Sequence, residues 1–79
     1  MKIYLNSIEN VKLFNTMAIL FKGEVTLKSG RYNIDGKSIF GIFSLDLTKP
    51  LEIEIECKDE FEKEDFVNDL KALKFILEE

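Results

Sequence analysis

Histidine is absent from this chain of 79 residues. That one absence removes histidine acid–base catalysis, phosphohistidine chemistry and the commonest zinc ligand together. Tryptophan is also missing, and cysteine and proline occur once each, as Cys57 and Pro50. A lone cysteine cannot build the even disulfide set that staples small secreted domains, so a soluble, cytoplasmic setting is expected. Met1 to Asn6 lacks the charged-then-apolar layout of a signal peptide and reads as a strand. No apolar run approaches the roughly 20 residues needed to span a bilayer. The acids show no EF-hand spacing, so neither a metal nor another cofactor is expected. Positive charge is in deficit as well: 11 Lys and Arg against 15 Asp and Glu leave a net charge of −4. That balance argues against nucleic acid and against an anionic membrane surface as partners.

What is present is globular: 46% of the residues are hydrophobic and 33% are charged, enough for one thin core and a single domain over 1–79. Lys2 to Leu5 reads as a short strand with Ile3 and Leu5 on one face. Asn6-Ser7 offers a cap for a helix carrying Ile8, Val11, Phe14, Ala18 and Phe21 at spacings of three and four, ending near Lys22-Gly23. Leu13 and Leu20 fall off that stripe, so the apolar face is broader than one core needs. Glu24 to Lys28 and Arg31 to Asp35 alternate on either side of Ser29-Gly30, the pattern of a hairpin. Ser38 is placed to cap a short helix through Ile39, Phe40, Ile42 and Phe43 to Leu45, weakened by Gly41. Leu51, Ile53, Ile55 and Cys57 alternate with Glu52, Glu54 and Glu56, which predicts a half-buried antiparallel strand. Asp59 and Glu62 make a capping-box-like start to a final helix with Phe66, Leu70, Leu73 and Leu77 as its stripe. The order β-α-β-β-α-β-α predicts an α+β fold with one sheet and helices on one face.

The run Ser29-Gly-Arg-Tyr-Asn-Ile-Asp-Gly-Lys-Ser-Ile-Phe-Gly-Ile-Phe-Ser-Leu-Asp-Leu-Thr-Lys-Pro50 resembles the HPr family, the phosphocarriers of the bacterial sugar phosphotransferase system. Its centre, Lys37 to Leu45, is similar to the family's segment of lysine, regulatory serine, short helix and Ser/Thr-Leu. The element order is also the family's, so the resemblance covers nearly the whole chain. It is nearest in pattern to divergent HPr-like proteins of Firmicutes. The resemblance implies an open-faced β-sandwich, a four-stranded antiparallel sheet with three helices on one face.

The departures carry the functional reading. In the family an active histidine opens the first helix, and an arginine that contacts the phosphate follows two residues later. Counting back from the Glu24 to Leu27 strand places those positions near Ser7 and Glu9, behind a shortened loop. Phosphohistidine transfer needs an imidazole nucleophile and positive charge at the phosphoryl group. A hydroxyl beside a carboxylate supplies neither, so no catalytic residue is expected and the chain is not read as an enzyme.

Ser38 carries over intact. The resemblance implies a regulatory phosphosite there, with Lys37 adding charge beside it, while the plainer reading is a helix cap. The resemblance implies a partner-docking patch at Lys37, Ile39, Phe40, Phe43 and Leu47, with ordinary core filling by the apolar ones as the alternative, whereas Ile42 and Leu45 belong to the core. Ser29-Gly30-Arg31 reads as a hairpin turn sooner than an anion site, Cys57 as a small core residue, and the acids from Glu52 to Asp65 as a solvated face. By resemblance the partners are proteins: the HPr kinase/phosphorylase, a catabolite-control transcription regulator, or enzymes of sugar metabolism. The leading expectation is a catalytically inactive regulatory or adaptor protein. The alternatives are a phosphotransfer component with a non-histidine acceptor, and a self-associating module that forms a homodimer.

Overall fold

The computed structural model describes residues 1–76. The elements are β1 (Lys2–Ile3), α1 (Ile8–Leu20), β2 (Glu24–Ser29), β3 (Tyr32–Asp35), α2 (Ile39–Phe43), β4 (Leu51–Glu56) and α3 (Glu60–Ala72). The strands form one antiparallel sheet in the order β1-β4-β2-β3. This is the expected open-faced α+β architecture. Register sets the two faces: Val25 lies opposite Ile55, Leu27 opposite both Ile53 and Ile34, and Ile3 opposite Leu51. These side chains meet the helices. The other face carries Lys2, Glu52, Lys28, Glu54, Thr26, Glu24 and Glu56 and no large apolar group. A one-residue slip in any pairing would exchange the two faces.

The core is built from Ile3, Leu5, Val25, Leu27, Leu51 and Ile53 on the sheet side and Val11, Phe14, Ala18, Ile42, Phe66 and Leu70 from the helices, all buried. Each large apolar side chain so enclosed contributes about 1.5–3 kcal/mol relative to exposure. Phe21 ends α1 in an extended conformation and stacks on Phe66 of α3 with ring centroids 4.5 Å apart. The helix therefore stops short of the expected Lys22-Gly23, because Phe21 is more useful folded down onto α3. Ile8 was expected in the buried stripe but is 64% exposed, since it sits in the first turn beyond the edge of the sheet's cover.

Both helix caps foreseen at Ser7 and Asp59 form. The Ser7 hydroxyl accepts from the Asn10 N–H at 3.1 Å, and the Asp59 carboxylate accepts from Phe61 and Glu62 at 2.9 and 3.3 Å. Glu62 does not complete a capping box; its carboxylate faces Lys22 at 3.6 Å.

The end of α3 departs most from expectation. The helix stops at Ala72, with Leu73 exposed, and Leu77 lies outside the described residues. Lys74 adopts φ 61°, its N–H donates to the Lys71 carbonyl, and the Phe75 N–H donates to Leu70 at 3.0 Å. These are the two bonds of a Schellman motif, with buried Phe75 folding back over Leu70. A lysine in the place usually held by glycine conceals that stop in the sequence. The returning chain then flanks β1: the Tyr4 N–H donates to the Phe75 carbonyl at 2.8 Å, and Ile3 bridges to Ile76. β1 itself ends at Ile3, short of the expected Leu5.

Gly30, at φ 58°, occupies the first position of the two-residue β2–β3 turn, where its conformation suits a hairpin. Gly41 has a different reason to be glycine. A Cβ there would lie 2.7 Å from Ile34 Cγ2, so α2 presses onto β3 through this residue. Gly41→Ala is therefore expected to destabilise by about 1–3 kcal/mol although alanine favours helix. Lys74→Gly should stabilise by about 1 kcal/mol by relieving the left-handed conformation. Urea unfolding midpoints of the two variants check both signs.

Candidate functional site

Two loci carry the residues singled out above, one at the N-terminus of α1 and one at the N-terminus of α2. At the first, Ser7 is exposed and its hydroxyl accepts the Asn10 N–H. The Asn10 side chain in turn donates to Asn6 Oδ1 at 3.2 Å. Among the described residues no base accepts the Ser7 proton. Glu9, exposed in the first turn of α1, favours the helix dipole but offers a phosphoryl group only repulsion. The four ion pairs among the described residues are Met1–Glu52, Lys22–Glu62, Lys28–Glu54 and Lys49–Asp46, and none reaches this locus. Chemically, Ser7 here is a cap.

At the second locus Ser38 caps α2, its hydroxyl accepting the Gly41 N–H at 3.2 Å, and it remains exposed. Its N–H donates to the Asp35 carbonyl at 2.9 Å, while the Asp35 carboxylate accepts the Lys37 N–H at 2.9 Å. The Lys37 ammonium has a hydrogen-bond partner of its own. It donates to the Phe21 carbonyl at 3.2 Å, at the C-terminus of α1, where no basic residue occupies the last turn and a cation is favoured. That bond engages the ammonium whose charge was expected beside Ser38.

The apolar candidates divide. Ile42 and Leu45 are buried, as expected of core residues. Ile39 and Leu47 are half-buried against the core. Phe40 is 86% exposed and Phe43 38% exposed. A phenylalanine left almost wholly in water beside a helix cap is the strongest surface anomaly at this locus. Ile8 and Ile19, both exposed, project from the α1 flank that also holds Asn15. That flank faces the approach to α2, because the Asn15 side-chain amide donates to the Gly36 carbonyl at 3.2 Å and the two helices are in contact.

Asn15 and Lys37 together clamp the segment leading into α2, and neither bond was foreseen. Asn15 left one readable trace: a polar residue among Val11, Phe14 and Ala18 on a buried face, where an amide must find a partner. The Lys37 bond spans 16 positions and has no local signature.

The comparisons bear on this geometry. The family model described as "PTS HPr component phosphorylation site" matches residues 10–77. The chain belongs to the HPr family. The match to this phosphocarrier family begins after Ser7 and Glu9. Among solved structures, the chain is similar to HPr-C-His from Thermoanaerobacter tengcongensis, with 24% identity and a TM-score of 0.73 over 100% of this chain and 97% of that one. It is also similar to the HPr dimer from the same organism, at 26% identity and a TM-score of 0.63 over 85% and 79% of the two chains. A third likeness is Crh, the Bacillus subtilis catabolite repression containing protein, described as a swapped, intertwined dimer, at 23% identity and a TM-score of 0.66 over 99% and 90%. No curated protein sequence matches the chain. The HPr fold is thus retained in a sequence with no histidine at all.

Just after α2, the Asp46 carboxylate accepts the Thr48 hydroxyl at 2.5 Å and its N–H at 3.1 Å. The Thr48 hydroxyl, then its backbone N–H, hold the Asp46 carboxyl below its ordinary value of 3.8, with Lys49 adding attraction. A depressed folded value means the turn's contribution is present above the unfolded value and lost as pH falls through the folded one. Thr48→Val is expected to raise the Asp46 midpoint toward 3.8, read by NMR titration of the side-chain carboxyl.

Proposed function

We propose that this HPr-family chain is a regulatory or adaptor protein that works by contact with other proteins and does not pass phosphoryl groups through histidine. The carrying observation is a pair: the sequence holds no histidine, while Phe40 stands 86% exposed directly after the cap residue Ser38. A phosphocarrier needs a nucleophile with charge stabilisation, and the first turn of α1 offers a capped serine and Glu9. An adaptor needs an exposed apolar anchor on a rigid support, and α2 is held by the core side chain Ile42 beneath it.

The docking surface in this reading is Phe40 and Phe43, with Ile8 and Ile19 exposed on the α1 flank that holds Asn15. Ser38 is the switch: a phosphate there would meet the free N–H groups of the first turn of α2 and place negative charge beside the anchor. Its partners are an HPr kinase/phosphorylase and, downstream, a transcription regulator or enzyme of sugar metabolism, in a cytoplasmic setting. Crh, a catabolite repression protein of the same fold, supports this direction.

A second reading, self-association, is favoured by the dimers described for two of the structural neighbours. Phe75 and Ile76 already cover the β1 edge, so sheet-to-sheet pairing would have to use the β3 edge. A monomer by light scattering at high concentration would remove this reading.

Incubation with ATP and an HPr kinase/phosphorylase, followed by intact-mass measurement, tests the leading one. The expected result is addition of one phosphate that disappears in Ser38→Ala. No addition, while an ordinary HPr in the same tube is modified, would leave Ser38 a helix cap only. Phe40→Lys should change stability by no more than about 0.5 kcal/mol. It should nevertheless slow modification of Ser38 at least about tenfold, the loss of one good anchor contact.

A further inference from the structure

The opposite flank of α1 raises a separate question. Leu13, Met17 and Leu20 lie together on the side away from Asn15, by their spacing of four and three. Leu20 is 77% exposed, although a leucine at the end of a helix beside a core has every reason to turn inward. This flank faces α3. The two helices run antiparallel there, as the Phe21–Phe66 stack and the Lys22–Glu62 pair show. Between them lies a groove of about 270 Å³ whose floor is Met17, Phe21 and Phe66, with Leu20 at its rim. Its α3 wall is acidic: Glu62, Asp65 and Asp69 line it. Phe61, one turn before Asp65 on the same stripe, is 81% exposed at the rim.

The charge on that wall is one-sided. Lys22 answers Glu62, but among the described residues Asp65 and Asp69 have no cationic partner. They stand four residues apart on the helix, where like charges repel, so the wall is held against its own electrostatics. An apolar floor with an acidic wall is complementary to one kind of surface: apolar side chains backed by lysine or arginine. The lining runs from Met17 to Lys22 and from Glu62 to Asp69, about 11 Å along α3, which is room for about two turns of a partner helix.

We infer that the α1–α3 groove docks a basic amphipathic helix of a partner protein. A second copy of this chain does not fit it. Lys12 is the sole cation of α1, and α3 carries Lys63 and Lys71 against five acids, Glu60, Glu62, Glu64, Asp65 and Asp69. An anionic lipid surface would be repelled by the same wall. The groove lies on the other flank of α1 from Phe40 and Phe43, so the inference stands or falls independently of the adaptor reading.

The test is an NMR titration of the labelled full chain with a 14-residue synthetic peptide carrying leucine at helical spacing and lysine elsewhere, beside a control with glutamate for lysine. The expected result is saturable shifts at Met17, Leu20, Asp65 and Asp69 with the lysine peptide, and affinity at least tenfold weaker for the glutamate peptide. Leu20→Ser and the pair Asp65→Asn with Asp69→Asn, all at exposed or rim positions, should each weaken binding about fivefold or more without lowering the unfolding midpoint. Equal affinity for both peptides would overturn the proposal, as would absence of binding, or shifts confined to Phe40 and Phe43. Concentration-dependent shifts at the groove without peptide would assign it to a second copy and overturn it equally.

Discussion

β4 decides where everything else goes. It lies between β1 and β2, bonded to both, and turns Leu51 and Ile53 to one side and Glu52, Glu54 and Glu56 to the other. With three carboxylates along its outer face, that side of the sheet cannot bury a helix without stranding charge. All three helices must share the remaining face. Glu24 stands directly across from Glu56 on the open side, a pairing that costs a little and is tolerable only because water reaches it.

Crowding on one face explains the surface that results. A sheet of four short strands cannot cover three helices completely, so α1, in the middle of the packing, buries one arc and leaves an apolar flank on either side. One flank meets the approach to α2 and is fixed by Asn15; the other borders α3 and is fixed by Phe21 on Phe66. The functional reading and the further inference concern these two flanks separately. In neither does chemistry at a titrating group enter, consistent with a chain whose ionisable side chains lie mostly at the surface.

Period-two and helical patterning carried most of the architecture. Strand β4, the Ser29-Gly30 hairpin and the caps at Ser7, Ser38 and Asp59 all follow from local rules, and the structure has them where those rules put them. The misses share a cause. Lys74 takes a left-handed conformation normally given to glycine, so the end of α3 and the return of Phe75 to β1 are set by packing that no local pattern announces. Lys37 reads as a charge beside Ser38 until the fold brings the α1 C-terminus to it. The breadth of the α1 apolar face was visible in Leu13 and Leu20, but its partition between α2 and α3 needed the three-dimensional order of the helices.

The central claim is that an HPr fold without histidine has kept its contacts and lost its phosphoryl transfer. Incubation with enzyme I and phosphoenolpyruvate carrying a labelled phosphoryl group tests it most directly, with an ordinary HPr in a parallel tube. The account predicts label on the ordinary HPr and none on this chain at any time point. Stoichiometric label on this chain, on Ser7 or on any other side chain, would contradict it.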